Sequence, residues 1–172
     1  MIKTQELLEK ENIKLNSFLD QHFLIDEKII DELIKSAQLT KEDIVIEIGA
    51  GTGNITKALA ENVKKVIALE LDERFKPILQ ALPANVEIRY EDGIEFLKKN
   101  LIGKKIIANV PYQLSEPLLR LLCTAHHIEC ICLVVPKSFA ENILKHSIFS
   151  SFFDVKVMHE VQVEALPGDL PQ

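Results

Sequence analysis

Apolar residues recur along this chain with two periods, and the two alternate. In "DEKIIDELIKSAQL" (26–39), Ile29, Ile30, Leu33, Ile34 and Ala37 fall three and four residues apart, which predicts an amphipathic helix capped by Asp26. "DIVIEIG" (43–49) is instead a short apolar run ending in glycine, as in a strand of a parallel sheet covered on both faces. The exchange then repeats. The helix "NITKALAENV" leads to the strand "KVIALEL" (65–71) and the helix "DERFKPILQAL", where Pro77 is tolerable only near the first turn. "VEIRY" (86–90) and "KKIIAN" (104–109) are the third and fourth strands. "SEPLLRLLCTA" begins a helix with Ser115 as cap and Pro117 in its first turn. "ECICLVV" (129–135) is the fifth strand, "KSFAENILKHSIFSSFF" a helix, and "DVKVMHEVQVEA" alternates like one or two late strands. Strands and helices in alternation predict an α/β fold, a mostly parallel sheet of seven strands with helices on both faces.

Length and composition narrow this reading. At 172 residues with 47% hydrophobic and 27% charged residues, the chain is read as one soluble domain over 1–172. No run approaches the ~20 apolar residues of a membrane span, and the charged N-terminus lacks a signal-peptide core, so a cytoplasmic location and no membrane are expected. Three cysteines, an odd number clustered in one third of the chain, argue against a disulfide framework. The net charge of −6, from 20 basic and 26 acidic residues, does nothing to attract phosphates. The local basic run "KKNLIGKK" (98–105) is read as a solvated turn between two elements.

Ligands on open α/β sheets bind at the carboxyl ends of the strands, so the residue each strand delivers there carries the chemistry. The first delivers "EIGAGTG": Glu47, then Gly49, Gly51 and Gly53 at alternate positions. Such a loop turns sharply and lets a ligand approach the backbone. It is not the dinucleotide fingerprint, because the third glycine comes one residue early and Asn54 holds the required place. The spacing suits a ligand without a pyrophosphate, such as S-adenosylmethionine (SAM). Glu70 ends the second strand about twenty residues past the first glycine, where a carboxylate takes both ribose hydroxyls. Asp92 ends the third and can accept from an adenine amino group; an exposed acidic turn with Glu91 and Glu95 is the competing explanation.

The fourth strand opens into "NVPYQLSEP". The adenine amino nitrogen is a poor nucleophile, since its lone pair is delocalised into the ring. Acceptors around its hydrogens, the Asn109 side-chain oxygen and the Val110 carbonyl, favour a pyramidal nitrogen and align it with a sulfonium methyl. Pro111 fixes the backbone that presents the carbonyl, and Tyr112 stacks on the extruded base, worth ~1–3 kcal/mol.

With these residues in place, the chain resembles the ribosomal RNA adenine N6,N6-dimethyltransferases of the KsgA and Erm type along most of its length. "DQHFLID" (20–26) is similar to that family's segment that folds over the methyl donor, "IEIGAGTGNIT" to its glycine loop, and "NVPYQLSEP" to its catalytic motif. The resemblance implies a Rossmann-like SAM-dependent methyltransferase fold, with residues 1–25 as an N-terminal helical, cofactor-covering segment. It implies that His22 and Leu24 line the cofactor site, that Gly49 and Glu70 hold methionine and ribose, and that Asp92 holds adenine. Asn109 and Tyr112 would engage the target base. The sequence departs from the family at Asp20, at Val110 and at Gln113, and "VEALPGDLPQ" stops where the family continues into a helical C-terminal domain that grips RNA.

The expected function is therefore a SAM-dependent N6-adenine methyltransferase acting on RNA, small-subunit ribosomal RNA foremost, alone or with a protein partner in place of the absent domain. The alternatives are a catalytically weak SAM-binding ribosome-assembly factor and a methyltransferase for a small molecule or protein. Phe139, in "PKSFAENIL", is assigned to the core. Cys123, His126, His127, Cys130 and Cys132 are of metal-ligand types, but the cysteines sit among leucines or alternate within an apolar strand. They are read as ordinary buried cysteines, with no metal expected.

Overall fold

A computed structural model describes residues 4–14, 23–100, 102–110, 112–146, 149, 152–158 and 160, with the backbone alone at Tyr112 and His146. Helices α1 (Thr4–Lys10) and α2 (Glu27–Ser36) come first. There follow β1 (Ile44–Ile48), α3 (Asn54–Ala60), β2 (Lys65–Leu69), α4 (Lys76–Leu79) and β3 (Val86–Arg89). After these come α5 (Gly93–Lys99), β4 (Lys105–Asn109), α6 (Tyr112–Leu122), β5 (Cys130–Val134) and α7 (Lys137–His146). Each strand lies within one or two residues of its place in the apolar pattern.

The five strands pair in parallel in the order β3-β2-β1-β4-β5, so the chain leaves β1 toward one edge and returns at β4 to build toward the other. Because side chains alternate along a strand, the sheet feeds two cores. Val45, Val66, Ala68 and Ile107 face one layer with Ile30 and Ile34 of α2, Ile55 and Leu59 of α3 and Leu79 of α4. Ile46, Ile48, Ile67, Leu69, Ile106 and Ala108 face the other with Phe96 and Leu97 of α5 and Leu118 and Leu122 of α6. A smaller cluster joins Leu119 to Phe139 and Ile143 of α7, so Phe139 is a core residue as expected.

Several local expectations hold. Asp26 caps α2, its carboxylate accepting from Lys28 N at 2.9 Å. Pro77 sits in the first turn of α4, after a short 3-10 turn over Glu73–Phe75. Others need correction. Five strands are present among the described residues, not seven: 154–158 form no strand, and most of the remaining "EVQVEA" lies outside the described residues. Helix α5 has no counterpart among the elements the pattern predicts. Helix α6 begins at Tyr112, three residues before the expected cap, and Ser115 is fully buried inside it. The reason is the stripe Ser115, Leu118, Leu119, Leu122, whose i, i+3, i+4, i+7 spacing puts Ser115 on the buried face. Pro117 is then interior and withholds the N–H that Gln113 would accept.

The basic run splits between two elements and loses its charge to neighbours. Lys98 reaches Glu95 at 2.7 Å, Lys104 reaches Glu129 at 2.6 Å and Lys105 reaches Asp43 at 3.0 Å. The cysteines are half-buried rather than buried, and Cys123 belongs to the α7 cluster, apart from Cys130 and Cys132. Among the described residues, no helix is long and apolar enough to cross a membrane.

Candidate active site at the carboxyl edge of the sheet

Parallel strands end at one edge, and the register fixes what meets there. Ile48 of β1 lies between Leu69 of β2 and Ala108 of β4, so at the next step Gly49 and Glu70, just past their strands, stand beside Asn109, the last residue of β4. Gly49 N and Ala50 N both donate to Leu69 O, at 2.9 and 3.1 Å, which ties the glycine loop to β2. A Cβ on Gly49 would stand 3.8 Å from the Asn109 carbonyl oxygen, which measures how closely the loop and the β4 tip approach. Gly49, Gly51 and Gly53 all have positive φ, +78°, +53° and +80°, so the loop's path is open to glycine and strained for other residues.

Glu70 is buried at 7% exposure and supports that loop directly. Its Oε2 accepts from Gly51 N at 2.6 Å and its Oε1 from Asp72 N at 2.8 Å. Burial raises its pKa and these backbone donors oppose the rise. Each carboxylate oxygen has a second acceptor site, so hydroxyl donors can be added without losing the backbone bonds. The support of Gly51 is a role that the sequence did not reveal.

Asp92 follows β3 and caps α5, its Oδ1 accepting from Glu95 N at 2.9 Å. The next residue explains why it reaches the site: a Cβ on Gly93 would come within 2.6 Å of Ile48 Cγ2, so glycine there brings the start of α5 down onto the end of β1. Asp92 is thus a helix cap on the shared edge. Glu91 and Glu95 nearby are paired with Arg89 and Lys98.

Glu47 is the unexpected member. It shares the β1 face with Val45, has Thr56 of α3 and Glu70 as neighbours, and is 1% exposed. Neither carboxylate oxygen has a hydrogen-bond partner. Burial pushes its pKa up to about 8, and the neighbouring charge of Glu70 adds to the rise. The Thr56 hydroxyl on α3 opposes it without satisfying it, for Thr56 Oγ1 is itself unpartnered. A buried carboxyl without donors is stable only as the neutral acid, or opposite a cation.

The segment before α2 closes one side. Leu24 is buried at 4% exposure in the core that backs the loop, while Phe23 rests on Gly51 and meets Phe75 edge-on with ring centroids 5.7 Å apart. Asn54, the residue that excluded a dinucleotide fingerprint, holds this segment: its Nδ2 donates to Leu24 O at 3.1 Å and to Thr4 Oγ1 at 3.0 Å. Asn109 ends β4 opposite Val134, and Val110 N donates to Val134 O at 3.1 Å. His22, Pro111 and the Tyr112 side chain lie outside the described residues.

A family model for ribosomal RNA adenine dimethylase matches residues 12–167. Ribosomal RNA small subunit methyltransferase A of Thermotoga maritima is 35% identical over 175 residues, covering 93% of this chain and 61% of its own length. The Clostridium botulinum protein of the same name is 36% identical over 150 residues, covering 83% of this chain and 54% of its own. The chain therefore spans little more than half the length of the curated relatives it matches. A dimethyladenosine transferase from Plasmodium falciparum superposes with a TM-score of 0.61 at 34% identity, over 73% of this chain and 47% of that one. The 23S rRNA methyltransferase ErmE gives 0.62 at 27% identity, over 70% and 50%.

Proposed function

This chain belongs to the ribosomal RNA adenine dimethylase family, and from that premise we propose that it transfers methyl groups from SAM to the exocyclic amine of an adenine in ribosomal RNA. Small-subunit RNA is the favoured substrate, because that is the RNA in the names of its curated relatives. The observation that carries the reading is the common edge: the glycine loop, Glu70, Asp92 and Asn109 follow four adjacent parallel strands around the point where the strand order reverses.

On this reading the SAM ribose hydroxyls donate to Glu70, which already braces the loop through Gly51. Asp92 accepts from the adenine of SAM while its Oδ1 keeps the α5 cap. Glu47 lies below the loop as the anionic counterpart of the donor's ammonium and sulfonium charges. Leu24 and His22 cover the donor. The target adenine sits beyond Asn109, its amino hydrogens donating to the Asn109 side-chain oxygen and the Val110 carbonyl, with Pro111 shaping that turn and Tyr112 stacking on the base. SAM, when bound, would supply a methyl group whose carbon–sulfur electron pair stays with sulfur as the carbon–nitrogen bond forms, and the adenine nitrogen held by Asn109 and Val110 would release its proton to water. Positioning of this kind supplies several kcal/mol of the barrier without a strong base. The site is proposed to work in the cytoplasm, with a protein partner helping to grip the RNA.

Methyl-labelled SAM, small ribosomal subunits lacking the modification, and nucleoside mass spectrometry test the proposal. The expected product is N6-methylated adenosine, monomethyl or dimethyl. SAM binding without transfer to any ribosomal RNA would replace the enzyme by a SAM-binding assembly factor. Label on free nucleosides or protein instead would name a different substrate class.

A further inference from the structure

Independently of methyl transfer, we propose that Cys130 and Cys132 form a two-thiolate site for a single soft d10 cation such as Zn2+ or Cd2+. The two residues occupy alternate positions of β5, so their side chains share one face of the sheet. Their Sγ atoms stand 3.9 Å apart, and both residues are half-buried, which leaves them accessible from one side. Two thiolates bound to one tetrahedral zinc at about 2.3 Å have sulfurs about 3.8 Å apart, so the observed spacing accepts the ion with almost no movement.

The alternative use of such a pair, a disulfide, does not fit the strand. Residues two apart on a strand are separated by about 6.6 Å, with side chains nearly parallel, whereas a disulfide needs Cβ atoms about 3.5–4.5 Å apart. A cation stands beside the pair. Lys105 lies opposite Cys130 on β4, with its ammonium held by Asp43 at 3.0 Å and by Gln38 O at 2.6 Å. Among the described residues no group of three potential ligands forms, so water or an external thiol completes the coordination.

The probe is Cd2+, followed through its thiolate-to-metal charge-transfer absorbance, with Zn2+ as competitor. One equivalent of Cd2+ is expected to saturate the band, excess Zn2+ to bleach it, and Cys130→Ser or Cys132→Ser to remove at least nine-tenths of it, while Cys123→Ser leaves it intact. Peptide mapping of alkylated wild-type protein provides a readout that needs no variant to fold: Cd2+ should protect Cys130 and Cys132 and leave Cys123 reactive. Absence of the band, or equal loss with Cys123→Ser, or protection of Cys123 alone, overturns the site.

Discussion

Replacing Glu47 by glutamine keeps the shape of the side chain and removes its ability to ionise, so it isolates the consequence of burying a carboxyl beneath the glycine loop. In the folded chain the pKa is pushed up from 4.5 to about 8, so the fold prefers the protonated acid. The unfolded chain releases that proton from about pH 4.5 upward. Wild-type stability contributed by this group is therefore present below pH 4.5, declines as pH rises and levels off above about 8. At ~1.4 kcal/mol per pH unit, the decline reaches ~3 kcal/mol by pH 7 and between 4 and 5 kcal/mol in full. Glutamine has no such dependence. Urea denaturation of both proteins at pH 5, 6, 7 and 8 should show the advantage of Glu47→Gln growing by ~1 kcal/mol or more per unit, whatever constant offset the amide adds. Parallel stability profiles would refute the argument, and with it the claim that the carboxyl is an unpaired acid. The same variant should bind SAM more weakly, because the neutral amide cannot face the donor's positive charge.

Three other outcomes are expected. Asn109→Ala should keep SAM affinity within about twofold and lower turnover on the order of 100-fold, as loss of target alignment would; equal loss of both, by calorimetry and initial rates, contradicts the assigned role. Asn54→Ala removes two half-buried hydrogen bonds, each worth about 0.5–1.5 kcal/mol, and should raise the SAM dissociation constant on the order of tenfold while leaving kcat unchanged. Asn62→Ala, which loses only a bond to Ala58 O at the end of α3, should leave that constant where it was. Binding of naked RNA by this acidic chain should be weak and fall on the order of tenfold or more between 50 and 200 mM salt, and tight binding at high salt would show that a basic surface has been overlooked.

The strands were legible because each is an apolar run closed by a polar or glycine tip, and a buried parallel strand has few other ways to look. The same pattern pointed to Glu70, Asp92 and Asn109 at one edge, since parallel strands leave no choice about which ends coincide. What escaped depended on contacts between distant segments or on competing local signals. Helix α5 has three apolar residues, Ile94, Phe96 and Leu97, inside a charged stretch, and its cap Asp92 reads equally as a ligand for adenine or as part of an acidic turn. Ser115 and Pro117 look like a helix start until the buried stripe carries the helix back past them. The bond from Asn54 to Thr4 spans fifty positions, so no periodicity announces it. Glu47 was visible as part of a glycine motif, but its lack of any partner is a property of the folded interior.

A crystal structure with S-adenosylhomocysteine bound tests the shared edge most directly. The account predicts the ribose hydroxyls on the Glu70 carboxylate, the adenine against Asp92 and the amino-acid end over the Gly49–Gly53 loop above Glu47. A product molecule seated elsewhere, or one whose ribose makes no bond to the Glu70 carboxylate, would contradict it.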